Sequence, residues 1–272
     1  MSKNSLKIIK IILVIIFAVS TGMVISNYVQ SKNAEQSYED AKDIAQTVPK
    51  DEQEQEETDE PEQNPEDEPI SEEVDEVPVY INTTKLEDLN LEALREINAD
   101  VVGWIRIPGT VVDYPMLKGA DNDYYLDHTW NNKKSAAGAI FIEHYNNADF
   151  SSFNTIIYGH HMNNDAMFGS LLKYKKQSYF DNNPYVYILD DNGIKCYEIF
   201  SAYEADVKSK TYQVSFSSDE SKQEFLDECT ANSVIETGIT PDVNDRVITL
   251  STCTNFTYNT RWVVQARIAL TE

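Results

Sequence analysis

Three groups that could together make and break a thioester stand far apart in this chain. Ile248-Thr249-Leu250-Ser251-Thr252-Cys253-Thr254 delivers a thiol, Arg261 follows eight residues later, and Ile156-Ile157-Tyr158-Gly159-His160 brings an imidazole. A cysteine attacks a carbonyl only as thiolate, and at an ordinary pKa of ~8.5 it is mostly protonated at neutral pH. An imidazole can take that proton, or stand as imidazolium and favour the thiolate, so Cys253 with a histidine is a minimal activated pair. Arg261 keeps its proton and cannot be the base. It can hold a substrate backbone or an oxyanion, where removing one such donor costs ~3 kcal/mol.

The other thiols and imidazoles read differently. Cys229 falls on the apolar face of a helix that Ser217-Ser218-Asp219-Glu220 opens with a capping box, beside Phe225 and Leu226. Cys196 alternates with Ile194 and Glu198 in a strand and packs. His160 and His161 are adjacent, so on a strand they point to opposite faces and one alone can meet Cys253. With no cysteine pair at ligand spacing beside them, no zinc site, and no metal or other cofactor, is expected. His128 and His144 read as surface or hydrogen-bonded structural residues.

The elements that must position this chemistry follow from periodicity. Val247, Thr249, Ser251 and Cys253 share one strand face, turning polar toward the end, and Ile248, Leu250 and Thr252 share the other. Residues 261–268 read as the returning strand of an antiparallel hairpin, which would set Arg261 beside Cys253. Upstream, Leu86, Leu89, Leu94 and Ile97 give an apolar helical face over Lys85–Asn98. Strands are expected near 101–107, 111–116, 138–144 and 154–160, and a short helix near 165–174. A hairpin turns at Asp190-Asp191-Asn192-Gly193 between arms 185–189 and 194–203, and a helix covers 217–231. Many strands with few helices imply a closed or nearly closed β-barrel decorated by helices.

With those residues in view the chain resembles the sortases, the cysteine transpeptidases of Gram-positive cell surfaces. Thr-Leu-Ser-Thr-Cys with a following Arg, and Tyr-Gly-His upstream, carry the likeness. Tyr158-Gly159-His160-His161-Met162, Met167-Phe168 and Asp121-Asn122-Asp123-Tyr124-Tyr125-Leu126 resemble class B, and the similarity runs from about Leu91 to the C-terminus. The resemblance implies a mainly β fold, an eight-stranded sortase-type barrel with N-terminal helices and a helix in a late strand connection. By position it implies a catalytic triad of His160, Cys253 and Arg261, with Ser251, Asn122, Leu126 and Tyr212 along the substrate groove. His161 stands where class B members often carry Asn, so two adjacent imidazoles compete for one role; the Tyr-Gly-His context favours His160. The implied reaction cleaves a Thr–Gly-type bond in the C-terminal sorting signal of an exported protein through a Cys thioester. The acyl group then passes to an amine of peptidoglycan or its lipid-linked precursor. A pilin-polymerising sortase and a non-catalytic peptide-binding surface module are the alternatives.

Composition divides the chain. Lys3, Lys7 and Lys10 precede a stretch, Ile11 to Ser31, without a charged side chain, long enough to cross a ~30 Å hydrocarbon core. Residues 1–34 therefore read as a cytoplasmic stub and membrane anchor, with the rest outside the cell. A cleaved signal peptide is the competing reading, from Ala18-Val19-Ser20. Residues 35–78 read as an acidic disordered linker: positions 35–76 hold 19 acidic and 2 basic residues, most of the net charge of −24. Residues 79–272 form the catalytic domain, also acidic, which argues against nucleic acid as a partner. Three cysteines in unlike settings give no disulfide framework, so a core must carry the stability.

Overall fold

Apolar residues recur in short runs bounded by Gly, Pro, Asn and Asp, a pattern that builds strands and tight connections. In the computed structural model, which describes residues 3–46, 86–253 and 259–269, these runs form eight strands. They are β1 (Val101–Arg106), β2 (Asp113–Leu117), β3 (Ile140–Ile142), β4 (Asn154–Tyr158), β5 (Tyr185–Asp190), β6 (Gly193–Asp206), β7 (Val247–Cys253) and β8 (Thr260–Ile268). They close into one barrel in the order β1-β2-β3-β4-β7-β8-β6-β5, with β5 pairing back onto β1. The expected eight-stranded barrel is thus what the chain forms. β2–β3 and β4–β7 are parallel; the other neighbours run antiparallel.

Both expected hairpins are present. Asp190 pairs with Gly193, whose φ of +96° suits the two-residue turn, and β7 pairs antiparallel with β8. Ile248 and Leu250 of β7 join the main core around Trp104, Phe141 and Ile157. Val247 joins a second cluster with Phe225, Leu226 and Cys229 beneath a helix we label α4 (Asp219–Asn232). Ser218 caps α4, and Ser221, not an acidic residue, closes the capping box.

Polar side chains hold β4, β7 and β8 in register. Thr249 Oγ1 donates to Asn154 Oδ1 at 2.7 Å and accepts from Gln265 Nε2 at 3.0 Å, all three fully buried. Asn154 Nδ2 reaches on to the carbonyls of Thr211 and Gln213, tying down the loop that carries Tyr212.

Two helix expectations and the start of the expected linker are corrected. The helix expected over Lys85–Asn98 is interrupted: Asn90 caps a new short helix, α2 (Leu91–Arg95), and the change of phase leaves Ile97 exposed while Leu86, Leu89 and Leu94 are buried. The helix expected near 165–174 is a 3-10 segment, Gly169–Lys175, because Asp165 and Met167 take left-handed backbone (φ +65° and +54°). α3 (Gln177–Asn182), which follows it, was not expected. The acidic linker expected over 35–78 is corrected at its start. Its first residues continue α1 (Lys3–Ala45), and Ala34, Ser37, Tyr38, Ala41 and Ala45 form a buried stripe at helical spacing. Glu35, Glu39 and Asp43 face water on the other side. Tyr38 donates to the Gly138 carbonyl at 2.6 Å, and Trp130 Nε1 to the Ser37 carbonyl at 2.8 Å. The rest of that linker, 47–78, lies outside the described residues. Although α1 contains the charge-free stretch, among the described residues no helix is long and apolar enough to cross a membrane.

Thr249→Val keeps the shape of its side chain but strands Asn154 Oδ1 in the interior and costs Gln265 Nε2 a partner. We expect a loss of about 2–4 kcal/mol, read as a lower urea midpoint at an unchanged slope.

Candidate active site

The parallel pairing of β4 with β7 and the antiparallel pairing of β7 with β8 bring three strand ends together. Tyr158 pairs with Ser251, and the Gly159 N–H continues the ladder to the Ser251 carbonyl at 3.1 Å. His160 lies two residues beyond Tyr158, and Cys253 two residues beyond Ser251. Cys253 in turn pairs directly with Arg261. The backbone therefore sets residue 253 opposite 261 across β7 and β8, and leaves residue 160 just past the end of β4, the strand beside β7. The close approach needs Gly159: a Cβ there would stand 2.5 Å from Ile140 Cδ1 and 2.7 Å from the Phe168 ring.

A pocket of about 170 Å³ opens at this edge. His160, Arg261, Ser251, Asn122 and Leu126 all line it, so the structure gathers five of the seven residues singled out in the sequence, with Cys253 placed beside them by its backbone. Tyr212 stands behind the wall, its hydroxyl 2.9 Å from Ser251 Oγ. Tyr158, Gly159, Phe141 and Thr252 complete the lining. Thr252 Oγ1 is buried without a hydrogen-bond partner among the described residues.

The two histidines separate cleanly. His160 Nε2 lies 2.6 Å from the Leu126 carbonyl, and because a carbonyl oxygen only accepts, Nε2 carries the hydrogen. The loop comes this close through Gly138, at φ +57°, where a Cβ would lie 2.8 Å from that carbonyl and 2.9 Å from the His160 ring. His161 turns away: its strand bridge is to Met167 and its ring lies against Gly169, with Nδ1 buried and unpartnered among the described residues. Arg261 donates from Nη1 to the Thr260 carbonyl at 2.9 Å.

Beneath the groove lies a carboxylate that sequence reasoning missed. Glu143, almost wholly buried just past β3, accepts on Oε2 from Asn122 Nδ2 at 2.6 Å and from the Tyr158 hydroxyl at 2.9 Å. Asn122 Oδ1 accepts from the His144 N–H at 2.9 Å. Burial first, and then Glu143, pushes the Tyr158 phenol far up, so it stays protonated. Tyr158 lay within the Tyr-Gly-His motif without a role. Nothing local marked Glu143, since its partners come from distant segments.

The remaining thiols do not belong here. Cys229 is buried under α4, where burial pushes its thiol up to about 11, and Cys196 packs against the main core. Among the described residues no group of three or more His, Cys, Asp or Glu is arranged to hold a metal.

Comparison with known proteins agrees with this architecture. The family model described as the sortase domain matches residues 105–269. Sortase B of Staphylococcus aureus is 37% identical over 179 residues, covering 65% of this chain and 73% of that protein. A solved Staphylococcus aureus sortase B-substrate complex superposes with a TM-score of 0.63 at 35% identity, over 67% of this chain and 85% of that one. Sortase B of Clostridium perfringens gives 0.63 at 35% identity, over 66% of this chain and all of that one. Because the family model spans more than half of the chain and the barrel matches these structures, this chain belongs to the sortase family of transpeptidases, among its class B members.

Proposed function

We propose that the chain is a membrane-anchored cysteine transpeptidase that cuts the C-terminal sorting signal of exported proteins and joins them to an amine of peptidoglycan or its lipid-linked precursor. One observation carries this reading: β8 sets Arg261 opposite Cys253, and Arg261 shares one pocket with His160, which follows the end of β4. The Staphylococcus aureus sortase B solved as a substrate complex supports a substrate-binding groove in this chain. In the reaction the Cys253 thiolate adds to the carbonyl of a Thr–Gly-type bond, and Arg261 stabilises the resulting oxyanion. With Nε2 donating to Leu126, the proton that His160 exchanges belongs to Nδ1. That proton goes to the leaving amine as the C–N bond breaks, which leaves a thioester on Cys253. The acceptor amine then adds to the thioester, surrenders a proton to His160, and the thiolate departs.

The exposed run Leu13, Val14, Ile15, Ile16, Phe17 and Val19 on α1 supports a membrane anchor, with Lys10 before it. Since the buried stripe begins at Ala34, such an anchor would hold the barrel close to the membrane, not at the end of a long tether. The catalytic domain then lies on the extracellular side.

Cys253→Ala should abolish cleavage of a fluorogenic peptide carrying a Thr–Gly bond; a variant that still cuts it removes this reading. Arg261→Ala should lower kcat about 10²–10³-fold, the usual weight of an oxyanion donor. At pH 8 a thiol with a pKa of about 11 is roughly one part in a thousand thiolate. Iodoacetamide should therefore label Cys253 quickly and Cys229 hardly at all, as peptide mass mapping would show. Expressed whole, the chain should sediment with membranes and resist salt extraction, while a chain starting at residue 32 should remain in the supernatant.

A further inference from the structure

We infer that Glu143 is a positioning residue of the substrate groove: its carboxylate draws the Tyr158 hydroxyl hydrogen inward, so that the phenol oxygen meets a bound peptide as an acceptor of a backbone N–H. The inference rests on the peptide-groove reading above and adds how the groove wall acquires its polarity.

A hydroxyl has one hydrogen to give, and Tyr158 gives it to Glu143 Oε2 at 2.9 Å. A carboxylate has none to give back, so what Tyr158 has left for a ligand is its lone pairs. Asn122 is set by the same oxygen. Its Nδ2 donates to Oε2 at 2.6 Å while its Oδ1 accepts from the His144 N–H at 2.9 Å, so a ligand finds its second amide hydrogen. Tyr158 and Asn122 both line the pocket. The wall thus offers one acceptor and one donor, matching the N–H and C=O of an extended peptide. Burying Glu143 is costly unless its oxygens are occupied, and Oε1 accepts one further hydrogen bond, from the Tyr145 N–H. The Tyr145 N–H lies 3.4 Å from Oε1, and Lys118 Nζ donates to the neighbouring His144 carbonyl at 2.8 Å. A glutamine at 143 would fill the same space but could donate to Tyr158, releasing the phenol hydrogen toward the groove.

The test uses the full chain and a fluorescein-labelled peptide carrying a Thr–Gly bond, followed by anisotropy for binding and by chromatography for cleavage. Glu143→Gln should raise both Kd and KM about tenfold, the weight of one hydrogen bond, with kcat little changed and iodoacetamide labelling Cys253 at the wild-type rate. Tyr158→Phe should weaken binding in the same sense, and adding Glu143→Gln to it should cost less than Glu143→Gln costs alone, because part of that loss runs through the one hydroxyl and the rest through Asn122. An unchanged Kd in Glu143→Gln overturns the inference. So does a parallel fall in kcat and in the labelling rate, which marks a general loss of structure. If Glu143→Gln does not fold, Tyr158→Phe decides alone, and an unchanged Kd overturns the idea. A wild-type chain that binds the peptide without cutting it sinks the transpeptidase mechanism while leaving the Glu143 comparison readable in Kd. A wild-type chain that does not bind it sinks both.

Discussion

A hydrogen-bonded chain of Asn154, Thr249 and Gln265 runs across β4, β7 and β8 inside the protein, and the arrangement at the pocket depends on it. A strand slipped by one residue sends every side chain to the opposite face. In an apolar strand such a slip can be partly absorbed by repacking. Here it would bury three polar groups without partners, at about 1–3 kcal/mol for each. The register is therefore set by satisfaction of hydrogen bonds as much as by the apolar pattern. Carried along the strands, that register ends β4 at Tyr158 opposite Ser251, two residues before His160, and sets 253 opposite 261. Asn154 also grips the carbonyls of Thr211 and Gln213, which brings Tyr212 to Ser251.

Legibility in the sequence follows contact distance. Arg261 opposite Cys253 was readable because a hairpin joins them and strand alternation does the rest. The two-residue turn after Asp190 was readable from Gly193 for the same reason. His160 beside Cys253 needs a parallel pairing across a long crossover, which no local pattern announces; only the family resemblance pointed to it. Glu143 was invisible because its meaning comes from Asn122 and Tyr158, which the fold alone brings to it. The orientation of His160 turns on a backbone carbonyl, and every residue has one of those.

The first residues of the acidic segment depart from the sequence reading in a different way. Averaged over 35–76 its charge reads as disorder, yet the packing of α1 depends on one narrow stripe. Ala34, Ser37, Tyr38, Ala41 and Ala45 are small or singly aromatic and sit at positions where charge is absent. Composition sums over all faces of a helix, whereas burial needs only one.

That stripe also bears on the imidazole. A histidine oriented by a backbone carbonyl is only as well fixed as the backbone that carries it. Leu126 reaches His160 because Gly138 takes a left-handed conformation and lacks a side chain where the ring and the loop meet. The carbonyl of Gly138 is in turn held by the Tyr38 hydroxyl at 2.6 Å, deep under α1, whose ring packs edge-on to Tyr114 at 5.2 Å. Glycine is the residue with most conformational freedom to lose, so a glycine held at one φ requires contacts on either side to hold it. Tyr38 supplies one of those contacts and the His160 ring abuts the other side. The N-terminal helix and the imidazole thus meet at a single residue, and the orientation of the ring is a property of the docked helix as well as of the barrel.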